Sequence, residues 1–380
     1  MARKTQRAEA LANNAAPART NDVRDVDDLV CILDVDGSLR ESPPMSDDEA
    51  LRALRLMMLS RAIDDRAIKL NRTGSIGIYS PVDGQEATVV GSCWALDPHR
   101  DWLVPAYREQ PALVRHGLPL ASLFAGYLGR FGAARIPDGV NMLPRQVSVG
   151  AQLPHAAGLA WGLRLQAKDG VVMVYLGEGA TSEGDFHEAC NLAGVMAAPL
   201  VLVIQNNGWA ISTPYNRQTA AATLASRASG YGIAGSLVDG NDLFAVYQAA
   251  RDAVARARGG GGATLIEART YRMGFHNTTD NPRQYRELAQ EDAARTKDPI
   301  ARLQRFLGAR GAFDDEVAAR LQESIAREID AALEEAMSAE KPGLDDVFDN
   351  VYAEPPARVR MEWESMRDFA GGEPDDGATP

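Results

Sequence analysis

Two stretches of the chain end an apolar run on residues able to ligate a metal. Val171–Leu176 leads straight into Gly177-Glu178-Gly179, and Leu200–Ile204 gives way to Gln205-Asn206-Asn207. The Glu178 carboxylate and the Asn207 amide oxygen are hard ligands, and the backbone carbonyl of Trp209 is a third oxygen nearby. Mg2+ prefers near-octahedral oxygen coordination at about 2.1 Å, usually one or two protein oxygens completed by phosphates. Gly177 and Gly179 let the main chain approach a phosphate with no Cβ in the way. A helix beginning near Gly184 brings N–H groups and its positive dipole end. The chemistry this predicts is the grip of a metal-bound diphosphate. A Gly-acid-Gly step alone fits a plain structural turn as well. The pairing of GEG with NN, 26 residues later at the end of a buried run, is far more specific. A dinucleotide-binding reading fits poorly. GEGATSEG lacks the GxGxxG spacing, and its acid would repel a pyrophosphate unless a metal intervened.

The elements that must position these residues follow from periodicity. Val171–Leu176 and Leu200–Ile204 are continuous apolar runs, as in parallel strands covered on both faces. Between them residues 184–197 read as a helix with Phe186, Leu192 and Met196 inward. That crossover makes the two strands neighbours or near-neighbours, so Glu178 and Asn207 can converge outside the carboxyl ends of a parallel sheet. LIEARTYR from Leu265 supplies another strand after the glycines at 259–262. Residues 47–72 form a helix capped by Ser46, with Leu51, Leu54, Met58, Ile63 and Leu70 at helical spacing. Further helices are predicted over 85–97, 155–168 and 314–336, the last with Val317, Leu321, Ile325, Ile329 and Leu333 four residues apart. Gly158 and Gly162, in GLAWG, either admit another backbone or pack tightly within the domain. The fold class is α/β, a mostly parallel sheet flanked by helices. Residues 29–345 make up the α/β domain, after a disordered arm over 1–28. Residues 346–380 form a C-terminal extension ending in the disordered tail GGEPDDGATP.

Composition narrows the partners. The net charge of −12 with no sizeable Lys/Arg cluster argues against nucleic acid or an acidic membrane face as the main partner. No apolar run reaches the ~18 residues of a membrane span. Cys31, Cys93 and Cys190 are scattered without CxxC spacing, which suits a reducing, cytoplasmic setting and suggests neither a disulfide framework nor a zinc site. The polar N-terminal stretch has no apolar core of a secretory signal.

With these residues in place, the segment resembles the thiamine diphosphate motif, GDG…NN, with Glu178 in place of its Asp. More narrowly, GEGATSEGDFHEACNLA and QNNGWAIS resemble the alpha subunit of the decarboxylating component of 2-oxo acid dehydrogenase complexes. YSPVDGQEA at 79–87, VPAYREQ at 104–110, VDGNDLFAVY at 238–247 and TYRMGFHNTTDNPRQYR at 270–286 extend the likeness over most of residues 47–340. The resemblance implies a thiamine-diphosphate-binding fold in which Glu178, Asn207 and the Trp209 carbonyl hold Mg2+. It implies that Tyr107 and Arg108 hold the diphosphate, an anion suited to an arginine, and that Gly177, Gly179 and Ala180 lie against it. Val147 and Val149 match positions whose backbone meets the aminopyrimidine. His276 matches a catalytic histidine on a loop over the site mouth that helps hold the diphosphate. Tyr79 and Ser80 fall where the family lines its acyl pocket.

There are two departures. Asn277 stands where some relatives carry a regulatory phosphorylation serine. Gln205 stands where some carry an arginine as a further diphosphate contact.

The resemblance also implies what the chain lacks. The glutamate that activates the cofactor comes, in such proteins, from a separate beta subunit, with the cofactor clamped in an α2β2 heterotetramer. The chain alone is therefore expected to be inactive. With its partner it would decarboxylate a small 2-oxo acid and pass the acyl group to the lipoyl domain of a core acyltransferase. DGVNMLPRQVSVGAQ and VPAYREQPALVRHGLPL look more like bacterial pyruvate-type alpha subunits than branched-chain (2-oxoisovalerate) ones. Two other classes are a non-catalytic paralogue, against which intact Glu178, Asn207 and Arg108 speak, and an NAD-binding oxidoreductase, against which the glycine spacing speaks.

Overall fold

The computed structural model describes residues 29–130, 132, 135–348 and 351–371. The expected arm over 1–28, and all but the first residue of the expected tail, lie outside the described residues.

The apolar runs read from the sequence become the middle of a parallel sheet. Strands β1 (Trp102–Val104), β2 (Val172–Gly177) and β3 (Leu200–Asn206) are followed by a short antiparallel pair, β4 (Trp209–Ala210) and β5 (Thr213–Pro214), then by β6 (Ala234–Asp239) and β7 (Thr264–Arg269). The five-stranded sheet has the order β1-β2-β3-β7-β6, and every adjacent pair is parallel. β2 and β3 are direct neighbours, with Gly177 opposite Gln205. The ladder thus runs beyond the apolar residues, because backbone pairing does not depend on side-chain polarity.

Helices cover both faces. They are α1 (Asp47–Arg72), α2 (Glu86–Trp94), α3 (Gln110–Arg115), α4 (Leu120–Tyr127), α5 (Gln152–Leu165), α6 (Gly184–Val195), α7 (Leu243–Arg258), α8 (Leu288–Arg295), α9 (Pro299–Ala309), α10 (Asp315–Ser338), α11 (Leu344–Phe348) and α12 (Ala357–Gly371). Strand alternation splits the core in two. Val172, Val174, Leu176, Leu200, Leu202 and Ile204 pack with Ala156 and Ala160 of α5 and Phe186 of α6. Met173, Tyr175, Val201 and Val203 face Leu54 of α1, Val90 of α2 and Phe244 of α7.

Local signals explain some of the boundaries. Ser46 caps α1 in a reciprocal box with Glu49, and Asp314 caps α10 through the Val317 N–H. α5 starts at Gln152 rather than 155, with the Gln152 amide tied to the Tyr175 carbonyl at 2.8 Å. It stops before Ala167, whose φ of 50° is left-handed. In α6 Phe186 is buried, but Leu192 and, just past the helix end, Met196 are only half-buried. In α10 Ile325, Ile329 and Leu333 reach the core while Val317 and Leu321 are half-buried. A Cβ added at Gly158 or Gly162 would meet nothing within 4 Å, so these glycines are not serving tight packing inside the described chain. Among the described residues no helix is long and apolar enough to cross a membrane.

Candidate functional site

The strand ends converge as their spacing requires. Glu178 follows β2 and is 1% exposed, and Asn207 follows β3 and is 7% exposed. The Asn207 N–H donates to Glu178 Oε2 at 3.3 Å, and Gln218 Nε2 donates to Glu178 Oε1 at 3.4 Å. Burial raises the Glu178 carboxyl above its usual value, and these donors and Arg272 only partly oppose that. The Asn207 amide is oriented from both ends: its Nδ2 donates to Gln85 Oε1 at 3.0 Å, and its Oδ1 accepts from the Trp209 N–H at 3.2 Å. The Trp209 carbonyl lies 3.4 Å from Arg272 Nη1. Beside Gly177 there is open space, whereas a Cβ on Gly179 would sit 2.7 Å from Ala210 Cβ. Ala180 is buried next to it.

Opposite stands a cationic end built from loops. Arg108, 5% exposed, donates to the Pro81 carbonyl, and its Nη2 meets His276 O at 3.0 Å and His276 Nδ1 at 3.3 Å. Arg272, 1% exposed, approaches the same His276 Nδ1 at 3.3 Å and donates to Ile211 O and the Tyr285 hydroxyl, both at 2.7 Å. The Tyr107 ring lies edge-on to His276 with centroids 6.2 Å apart. Burial, then Arg108 and Arg272, push the His276 imidazole down to about 4, so it is neutral at pH 7.

The residues fit a metal-bound diphosphate. Among the described residues, Glu178 is a buried carboxylate without a cationic ion-pair partner, Arg108 and Arg272 are buried guanidiniums without a carboxylate partner, and Arg272 Nε is buried with no hydrogen-bond partner. Uncompensated buried charge is costly, and a cation between Glu178 and an anion facing the arginines would offset both. Among the described residues no three His, Cys, Asp or Glu side chains cluster as a metal cage. Mg2+ completed by phosphate oxygens needs none.

The remaining candidates divide. Val147 and Val149 are 73% and 49% exposed. The Gln146 N–H pairs with the Ala106 carbonyl at 3.0 Å, which sets that segment beside Tyr107. Tyr79 is 1% exposed with its hydroxyl committed to Asp64 at 2.6 Å, while half-buried Ser80 offers its carbonyl to Gln110 Nε2 at 3.1 Å. Sequence reasoning missed Arg272, Gln85, Gln218 and Glu109. Arg272 stands four residues before His276 in a motif already noted, but nothing local marks an arginine as buried. Glu109 accepts from the Arg108 N–H at 3.1 Å and from Gln205 Nε2 at 2.5 Å. Gln205 is thus spent on a neighbour, and it is Arg272 that brings a second guanidinium.

A parallel α/β sheet with these strand ends is the thiamine-diphosphate-binding class of fold. The model of the family described as "Dehydrogenase E1 component" matches residues 54–345. The pyruvate dehydrogenase E1 component subunit alpha of Staphylococcus epidermidis (strain ATCC 35984) is 39% identical over 352 residues, covering 92% of this chain and 95% of that one. The subunit of the same name from Staphylococcus aureus (strain Mu50) is 38% identical over the same shares. The chain belongs to the dehydrogenase E1 component family, thiamine-diphosphate-dependent enzymes that decarboxylate 2-oxo acids.

Proposed function

We propose that the chain is the alpha subunit of a pyruvate dehydrogenase, working with a beta subunit in an α2β2 heterotetramer and passing its acyl group to a lipoyl domain. The observation that carries this is a buried carboxylate and amide, Glu178 and Asn207, linked through Trp209 to buried Arg272, which meets buried Arg108 at His276 Nδ1, in a chain 39% identical to an alpha subunit of that name. Glu178, Asn207 and the Trp209 carbonyl would hold Mg2+. Tyr107, Arg108, Arg272 and His276 would take the diphosphate oxygens, with Gly177, Gly179 and Ala180 against them. The backbone of Val147 and Val149 would meet the aminopyrimidine.

When bound, thiamine diphosphate supplies the carbon that adds to the 2-oxo group and accepts the electron pair as CO2 leaves. This chain's residues do the positioning. The charged ends fix the diphosphate, and fixed geometry converts binding energy into rate. His276, neutral at pH 7, would offer its one N–H to the diphosphate, its Nδ1 already lying beside both arginines. Tyr79 and Ser80 belong to the acyl side.

The test is the rate of dye reduction by the chain co-purified with its beta subunit, with thiamine diphosphate and Mg2+, on pyruvate and on 3-methyl-2-oxobutanoate. A clear pyruvate preference is expected, together with no rate from the chain alone. Preference for the branched acid would move the chain to the branched-chain group, and full activity without a beta subunit would overturn the assembly.

A further inference from the structure

The acyl side of the site carries a cation that no residue role so far accounts for. Arg145 is half-buried and forms no ion pair with a carboxylate among the described residues. Its guanidinium lies over the Tyr127 ring, 4.6 Å from the centroid. It also rests on a glycine: a Cβ on Gly126 would stand 2.9 Å from Arg145 Nη2. Tyr127 in turn packs edge-on to Tyr79, with centroids 5.1 Å apart, and its hydroxyl takes a hydrogen bond from Gln110 Nε2 at 3.2 Å. The same Gln110 amide holds the Ser80 carbonyl, and the next carbonyl, that of Pro81, holds Arg108. One continuous wall thus runs from the diphosphate end through Ser80 and Gln110 to Tyr127 and Arg145. The Gln146 N–H bond to Ala106 brings the other side of Arg145 back beside Tyr107.

We propose that Arg145, seated on Gly126 and stacked on Tyr127, recognises the carboxylate of the incoming 2-oxo acid, which makes it a specificity-determining residue for anionic substrate. This rests on the functional reading above. A guanidinium held over an aromatic ring, with the Tyr127 hydroxyl as a neutral neighbour and no carboxylate paired to it among the described residues, keeps donors for a carboxylate contact. The contact belongs to the ground state, since the carboxylate it holds departs as neutral CO2. Its loss therefore weakens substrate capture without slowing the chemical step, and a rim cation also speeds encounter with an anion in a salt-dependent way.

The experiment compares wild type, Arg145→Met, Arg145→Lys and Gly126→Ala in the complex with the beta subunit, reading kcat and KM for pyruvate at several salt concentrations. Arg145→Met should raise KM about tenfold, the size of one charge-assisted contact, with kcat within about twofold and a shallower salt dependence. Arg145→Lys should recover part of the loss. Gly126→Ala, which pushes the guanidinium off its seat, should raise KM by a smaller factor, about threefold. An unchanged KM in Arg145→Met, or a fall in kcat at constant KM, would overturn the inference, the latter by showing that Arg145 merely supports the Tyr127 wall. A wild-type complex with no rate on pyruvate would overturn the functional reading itself, an outcome distinct from an active complex indifferent to Arg145.

Discussion

The two ends of the site hold opposite charges on different kinds of structure. The carboxylate end rides on β2 and β3, central strands whose side chains are buried from Val172 to Leu176 and from Leu200 to Asn206. Its residues are placed by ladder register, which fixes the distance between Glu178 and Asn207 before any side chain is chosen. The guanidinium end is assembled from three loops, around Pro81, Arg108 and Arg272–His276, tied by hydrogen bonds to carbonyls. The Thr270 N–H to Asn206 O bond at 2.9 Å and the Arg272 N–H to Asn207 O bond at 3.3 Å are what join the last loop to the strand ends. Gly84, at φ +93°, serves the same joint: a Cβ there would lie 2.2 Å from the Tyr271 carbonyl. One end is thus placed by sheet register and the other by side-chain hydrogen bonds between loops.

The sharpest way to break that contrast is Glu178→Ala. Removing the single carboxylate should weaken Mg2+-dependent binding of thiamine diphosphate on the order of 100-fold or more, as read by titration calorimetry. Full retention of affinity would show that the metal is not held there. At the other end Arg108→Ala should weaken thiamine diphosphate about 30-fold, as expected for one buried charge-assisted contact, while leaving phosphate-free thiamine unaffected. Equal loss for both ligands would mean that Arg108 shapes the fold rather than the anion site.

The ends should also differ in the sign of their pH dependence. Glu178 is raised by burial and must be ionised to hold a cation, so affinity through it falls as pH drops toward that raised value. His276 is held at about 4 by burial and two arginines, and an anion between it and them raises it again. Binding then takes up a proton, and affinity through His276 grows as pH falls from neutral. Wild-type affinity should therefore carry two opposed trends as pH falls, a loss through Glu178 and a gain through His276. His276→Asn should lose several-fold more at pH 6 than at pH 8. A variant whose profile keeps the acid-side gain would remove His276 from the anion end.

The same contrast explains what the sequence discloses. The strand ends were legible because a buried parallel strand writes itself as an unbroken apolar run, and the first polar residue after it marks the sheet's carboxyl edge. The Ser46 cap and the four-residue spacing in α10 were legible for similarly local reasons. β1 is three residues long, and β6 is only half-buried and holds Gly235, so neither leaves a run to read. α7 does carry a local signal, the Asp242 cap before Leu243 and Phe244. The cationic end was visible only through resemblance. An arginine in a polar loop looks solvated, and the burial of Arg272 depends on Trp209, Ile211 and Tyr285, which lie 13 to 63 residues away.

Glu109 sits where the two ends meet, and a substitution there should have the smallest effect of all. Its carboxyl, 1% exposed, accepts from the Arg108 N–H of the loop end and from Gln205 of the strand end. Burial pushes it from 4.5 up to about 7. Because the folded value lies above the unfolded one, the folded chain holds an extra proton between these limits. Its contribution to stability is present at low pH and lost as pH rises through that window. An amide at this position does not titrate. Its oxygen can accept from the Arg108 N–H, while its NH2 can donate to Gln205 Oε1, a buried atom without a partner among the described residues. Glu109→Gln should therefore flatten the fall in Tm between pH 5 and 8 and raise Tm at pH 8, with thiamine diphosphate affinity within about threefold of wild type. A lower Tm at pH 8 together with a large loss of affinity would reverse the assignment: the negative charge on Glu109 would then be what holds Arg108 against the strand end.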